Sequence, residues 1–368
     1  MRVIVVGAGV IGCSAAFALA RRGADVIVVE RGVAGSGASG AAAGMLAALS
    51  ESDAPGEFVD LCMAALHEFE PWIESVEQLA QMRVDLVRSG VLMLASRPEQ
   101  ERDLQARLPW QRDCDPRVEY LDAASLKRLA PHLGPGFAGA MHYPGEVQVD
   151  ARRYSLALSR AAVAVGARLL EGAEVTAIST KSGRAVGVEI AGERLAADAV
   201  LVACGSDASL LHQAGVHLPL APNKGELLRL VPAARLAGPI IFAPGGYLAP
   251  KADGSVLVGA TQAQGRHDVV VGAGSVATLL DFAFGVVPAL REARFAEAWA
   301  GLRPTLPDHV PAVGLVPELD ALWVADGHHR NGILLAGWTG EHLAAAMLDG
   351  ASLPEVVAPG RFRAAVPR

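Results

Sequence analysis

The hydrophobic positions of the chain change period several times along its length, and the first changes come early. Residues 2–6, Arg2 followed by four β-branched residues, show the pattern of a parallel strand covered on both faces. Residues 11–22 are alanine-rich and read as a helix, and residues 24–30 return to an apolar strand. A Gly/Ala/Ser stretch fills residues 32–44. Helices are then predicted over 58–82, 98–107 and 123–129, with strands at 91–95 and 138–143. A helix over 152–166 leads into strands at 167–170, 174–180 and 185–190. Residues 197–209, ADAVLVACGSDAS, read as a strand, a glycine turn and a helix start. Strands are expected at 218–230, 246–250 and 255–260, then a helix at 276–290. The last unit, LWVADGHHRNGILLAGWTGEHLAAAML, is strand, loop and helix.

The β-α-β pieces at the start, middle and end predict an α/β chain with a discontinuous, Rossmann-like dinucleotide-binding domain. Its segments are residues 1–80, 144–215 and 320–368. A substrate-binding domain of α+β type, built on an antiparallel sheet, is inserted as residues 81–143 and 216–319. At 368 residues, 52% of them hydrophobic, the chain can fill two lobes. There is no internal repeat and no low-complexity linker.

Charge and cysteine usage narrow the function. A net charge of -7 without a basic stripe argues against a nucleic-acid partner. Cys13, Cys62, Cys114 and Cys204 are scattered, which fits reduced thiols better than a disulfide scaffold or a zinc site. Three glycines break the apolar start, so it does not read as a signal peptide, and charges or turn residues interrupt every candidate membrane span. The expectation is a soluble, cytoplasmic protein.

The chemistry begins at Gly7-Ala8-Gly9-Val10-Ile11-Gly12, between the first strand and its helix. Gly7 permits the tight turn, Gly9 a close backbone approach to a pyrophosphate, and Gly12 close helix–strand packing. The helix amides and dipole then face the phosphates. Glu30 ends the second strand about twenty residues on, where a carboxylate accepts hydrogen bonds from a ribose diol. FAD and NAD share this motif. The small-residue segment from Gly35 to Met45, which can lie against a long cofactor, and the C-terminal strand–loop–helix both favour FAD. A second Gly-rich stretch, VVVGAGSVA, is followed by no strand with a terminal acid. It reads as a turn before a helix, with Ser275 as N-cap, rather than as an NADPH site.

These motifs, together with Ala41-Ala42-Ala43-Gly44-Met45-Leu46, Tyr247-Leu248-Ala249-Pro250-Lys251, Gly259-Ala260-Thr261, Trp299-Ala300-Gly301-Leu302-Arg303-Pro304 and the run from Gly327 to Ala336, resemble the D-amino acid oxidase superfamily. Within it the resemblance is nearest to the glycine oxidases of thiamine biosynthesis. It spans residues 2–348. It implies noncovalently bound FAD, oxidation of a glycine carbon–nitrogen bond to an imine by hydride transfer, and reoxidation by O2 with release of peroxide. The imine then hydrolyses to glyoxylate or supplies a thiazole ring. Arg303 would clamp the substrate carboxylate, Arg330 would be a second cation, Tyr247 would donate its hydroxyl, and Met45 would line the flavin pocket. The cofactor set implied is Gly7, Gly9, Val10, Ile11, Gly12, Glu30, Arg31, Ala38, Ser39, Ala43, Gly44, Met45, Val175, His328, His329, Arg330, Asn331, Gly332, Ile333 and Leu334. The amides of Gly332 to Leu334 would face the flavin edge that becomes negative on reduction. The pair His328-His329 lacks metal partners and reads as cofactor-lining loop. The family also implies a homo-oligomer.

Gly337-Trp338 stands where these oxidases usually have a proline, ACGSDAS replaces a pattern ending in tryptophan, and a familiar acidic pattern after Thr261 is missing. The amine-side pocket is therefore expected to differ, admitting sarcosine or a larger N-substituted glycine. A D-amino acid or sarcosine oxidase or dehydrogenase, and a non-catalytic flavin-binding protein, are the competing readings.

Overall fold

The computed structural model describes residues 1–362. Its first sheet has six strands, in the order Ala312–Leu315, Leu322–Asp326, Ala199–Val202, Arg2–Val6, Asp25–Val29 and Arg168–Leu170. All neighbours are parallel except the Ala312–Leu315 edge, which is antiparallel. The central strand Arg2–Val6 is buried at Val3, Ile4, Val5 and Val6, as its β-branched run requires. Helices Val10–Arg21, Glu57–Ala80, Ala151–Ala164 and Gly332–Asp349 pack together on one face. The three-stranded meander from Val175 to Ala196 supplies Val175, Ala185 and Val188 to the core on the other.

The second sheet has nine strands and is antiparallel except at one junction. There Ile240–Ala243 pairs in parallel with Val91–Ala95, and this pair joins the two inserted segments of the chain. Ala221–Val231 and Arg294–Thr305 form its longest ladder. The helix Ala273–Val286 packs its Leu279 and Ala283 with Leu228, Val256 and Val258 in a separate core.

Four sequence expectations differ from the structure. The strand Ala312–Leu315 falls in the segment expected to build the substrate domain, yet it hydrogen-bonds at the edge of the six-stranded sheet. The helix expected at 98–107 runs over Pro98–Cys114, carrying Pro109 inside it. The helix expected at 276–290 begins at Ala273 and ends at Val286, because Pro288 lacks the amide needed to continue and opens a 3-10 turn instead. Ser275 is not the N-cap. Gly272 holds that position, and its amide donates to Glu226 at 2.8 Å. The valines before it form no strand: Val269 and Val270 lie exposed on a loop tied down by the ion pair of Lys224 and Asp268 at 2.7 Å.

Candidate functional site

A groove of about 350 Å³ crosses the carboxyl ends of the parallel strands, the place where open α/β sheets bind ligands. Gly7 makes the turn at φ +101°, and a Cβ there would lie 2.3 Å from the Ala203 carbonyl oxygen. A Cβ on Gly12 would lie 1.9 Å from the Gly7 oxygen, so both positions are closed to any side chain. Gly9, Val10 and Ile11 line the groove, whereas Gly12 lies beneath it as packing. The Glu30 carboxylate accepts from the Ala8 amide and the Gly32 amide, each at 2.8 Å, which leaves a lone pair on each oxygen for a diol. The Ser39 hydroxyl accepts from the Val10 amide at 3.0 Å, bringing the small-residue segment across the start of the first helix.

Arg31 and Val175 stand on the far wall, Arg31 paired with Asp207 at 3.0 Å. Asp326 and Cys204 also line the groove, and sequence reasoning missed them along with Asp207. Asp326 accepts from the amides of Gly205 at 2.7 Å and Cys204 at 3.1 Å, and burial pushes its carboxyl well above the usual range. The sequence signal was faint: an acid at the end of a fully apolar strand.

The groove opens into a chamber of about 390 Å³ between the two sheets, with Ala38, Ala42, His329, Arg330 and Ile333 on the boundary of both. Ala43, Gly44 and Met45 line the chamber on the nucleotide side. The buried ammonium of Lys251 holds them there, donating to the Ala43 and Val149 carbonyls and to Gln148. Tyr247 and Arg303 reach the chamber from two strands of the nine-stranded sheet. The Tyr247 ring lies over Gly259, where a Cβ would meet it at 2.3 Å, and burial raises its phenol pKa. The Arg303 guanidinium lies over Gly225 in the same way. Its pKa is lowered by desolvation, and its Nη1 is buried with no hydrogen-bond partner among the described residues. A buried, unpaired guanidinium nitrogen costs several kcal/mol unless an acceptor binds it. A carboxylate is the fitting one.

Glu51, another residue missed from the sequence, lines the chamber and meets Arg330 Nη1 at 3.4 Å through Oε1. His328 is held by Thr339 at 3.1 Å, and burial lowers its pKa to about 3. His329 adopts φ +48°, stacks on His309 with centroids 4.6 Å apart, and leaves Nε2 buried without a partner. Asn331 caps the helix Gly332–Asp349 with its backbone, and Gly332 and Ile333 present the helix start to the groove. Leu334 does not reach it; its side chain lies in the core.

A family model described as FAD dependent oxidoreductase matches residues 2–346. Over 341 residues the chain is 37% identical to a glycine oxidase of Geobacillus kaustophilus (strain HTA426), covering 92% of this chain and 90% of that protein. The crystal structure of glycine oxidase from Geobacillus kaustophilus superposes with a TM-score of 0.94 at 35% identity, over 98% of this chain and 99% of the other. That of iminodiacetate oxidase from Chelativorans sp. BNC1 superposes with a TM-score of 0.88 at 28% identity, over 97% and 99% of the two chains.

The residues present fit FAD. The glycine turn has room for a pyrophosphate and for nothing bulkier on the backbone, Glu30 keeps free lone pairs, and the groove runs without a break into the chamber. At the boundary wait the orphaned His329 Nε2 and the amides of a helix start.

Proposed function

Since the chain belongs to the FAD dependent oxidoreductase family, we propose that it oxidises the carbon–nitrogen bond of glycine or an N-substituted glycine held by Arg303. FAD is its cofactor; when bound, it accepts a hydride from the substrate carbon and returns the electrons to O2 as peroxide. The observation that carries the reading is Arg303 Nη1, buried in the chamber wall without a partner. A substrate carboxylate would satisfy it in a bidentate pair, with the Tyr247 hydroxyl donating from another strand of the same sheet. That clamp fixes which substrate carbon faces the cofactor end of the chamber, and orientation is the protein's main contribution to such chemistry. Met45 gives the chamber and Ile333 the boundary an apolar lining, and Arg330 adds positive charge beside it. The imine product would hydrolyse to glyoxylate and ammonia or a primary amine.

An N-substituent is supported by the chamber's size, about 390 Å³. The similar iminodiacetate oxidase, named for an N-substituted glycine, supports the same reading. We assign the groove residues from Gly7 to Ser39, together with Val175 and the loop 328–333, to noncovalent binding of FAD. The division into a nucleotide domain (1–80, 144–215, 320–368) and a substrate domain is likewise our reading, with Ala312–Leu315 joined to the first by its pairing. Four cysteines without a disulfide support a reducing compartment such as the cytoplasm, and the family resemblance supports a homo-oligomer.

The test is anaerobic reduction of the flavin by glycine, sarcosine, iminodiacetate and D-alanine, with peroxide measured after admitting air. Bleaching by the glycines is expected, stronger than by D-alanine. A flavin that none of them reduces would overturn the reading.

A further inference from the structure

We propose that Glu51 recognises the substrate amine: its carboxylate pairs with the ammonium and takes the proton that the amine must lose before oxidation. The inference rests on the chamber being the site of amine oxidation and goes one step further, to the group that makes the amine reactive.

Glu51 sits on the turn after the strand Met45–Leu46, with a side chain only 10% exposed, and it is the sole acidic residue lining the chamber among the described residues. One oxygen meets Arg330 Nη1 at 3.4 Å, a long contact; Oε2 makes no hydrogen bond. Its position is fixed from behind. Glu146 accepts from the amides of Leu49 at 2.6 Å and Ser50 at 2.9 Å, and Gln111 Nε2 donates to the Leu49 carbonyl at 3.0 Å. A buried polar network of this kind holds the turn in one conformation.

The charges of the chamber call for this role. An amino acid arrives as a zwitterion. Arg303 takes its carboxylate, and the ammonium then needs an anion that the other lining residues do not supply. Hydride leaves the carbon of a neutral amine far more readily than that of an ammonium, because the nitrogen lone pair must form the C=N bond. The step balances as a simple proton transfer: one N–H bond of the ammonium breaks, an O–H bond forms on Glu51, and no electrons change owner. The groups facing Glu51 are Arg330 from the loop before the last helix, Arg303 and Tyr247 from the substrate sheet, Cys62 from the long helix, and Glu146 from below. Burial raises the pKa of Glu51 despite the two guanidiniums, which suits a proton acceptor.

The test uses the FAD-loaded enzyme and two unreactive ligands of one shape, read by flavin difference spectra. 2-Aminoisobutyrate has a carboxylate and an ammonium but no transferable hydrogen on its α-carbon; pivalate has a methyl group in place of the ammonium. In Glu51→Gln the Kd of the amine should rise about tenfold or more, the scale of one charge-assisted hydrogen bond. That of pivalate should not rise, since its methyl group has no proton to donate to Glu51. The kcat/KM for glycine should climb with pH toward the pKa of the free amine in the variant, and level off at lower pH in the wild type. Equal changes for the two ligands, or superimposable pH profiles, would overturn the role of Glu51. If no amine reduces the flavin of the wild type, the reading of the chamber falls instead.

Discussion

Arg303 occupies the volume that a side chain at position 225 would fill: a Cβ on Gly225 would lie 2.3 Å from Nη1 of Arg303. The two residues sit on paired strands, in a ladder whose register sets Asn223 against Arg303 and Gly225 against Gly301. The proposed carboxylate clamp therefore depends on the absence of a side chain at position 225. Gly225→Ala should push the guanidinium out of line and raise KM for carboxylated amines by about tenfold, the scale of one weakened charge-assisted bond. FAD content should not change. Steady-state kinetics beside the flavin-to-protein absorbance ratio check both halves.

Arg303→Lys keeps the charge and loses the fork. A point charge cannot pair both carboxylate oxygens, so kcat/KM should fall roughly 10- to 100-fold, with most of the loss in orientation. Arg303→Ala should abolish flavin reduction by glycine while the protein stays yellow. Stopped-flow reduction under nitrogen measures both variants.

Glu30 holds the nucleotide turn as well as facing the groove. Replacing it with alanine leaves the Ala8 and Gly32 amides without their acceptor and removes the carboxylate proposed to receive the ribose diol. The FAD dissociation constant should rise by at least roughly tenfold, the cost of the lost hydrogen bonds. Recovery of flavin fluorescence on dilution reads the release directly.

Glu146 gives a pH signature. Burial raises its pKa to about 7, against the accepted bonds from Ser50 and Leu49 that pull it down. A folded-state pKa above the unfolded one means that the native state binds the extra proton. The stability this group contributes is thus fully present below about pH 4.5 and is lost as pH rises through about 7. Relative to Glu146→Gln, which carries no charge to bury, the wild-type Tm should decline over that window. Parallel melting curves from pH 5 to 8 would contradict it.

What could be read from the sequence was local. The turn at Gly7, the packing at Gly12 and the acid at Glu30 lie within one β-α-β unit, where spacing alone fixes geometry. The strand Arg294–Thr305 was harder to see. It contains two glycine or proline positions beside Arg303 and faces partly solvated surroundings on both sides, so no clean alternation marks it. Its motif was recognisable by resemblance, but its pairing with Ala221–Val231 was not. Glu51 carried no signal of its own, because its place in the chamber depends on Arg330, 279 residues away. Asp326 was hidden inside an apolar strand for the same reason: the amides it serves, Cys204 and Gly205, come from a neighbouring strand end.

The parallel pairing of Val91–Ala95 with Ile240–Ala243 also governs how the molecule is made. The first of these strands leaves the ribosome long before its partner, carrying four buried apolar side chains and an unpaired edge. In the interval the nucleotide strands up to Ala199–Val202 can assemble, whereas the substrate sheet stays open on one side. Such non-local pairing makes folding slow and exposes a sticky edge to other chains. Synthesis rate and chaperone supply should therefore limit the yield of this protein more than its final stability does.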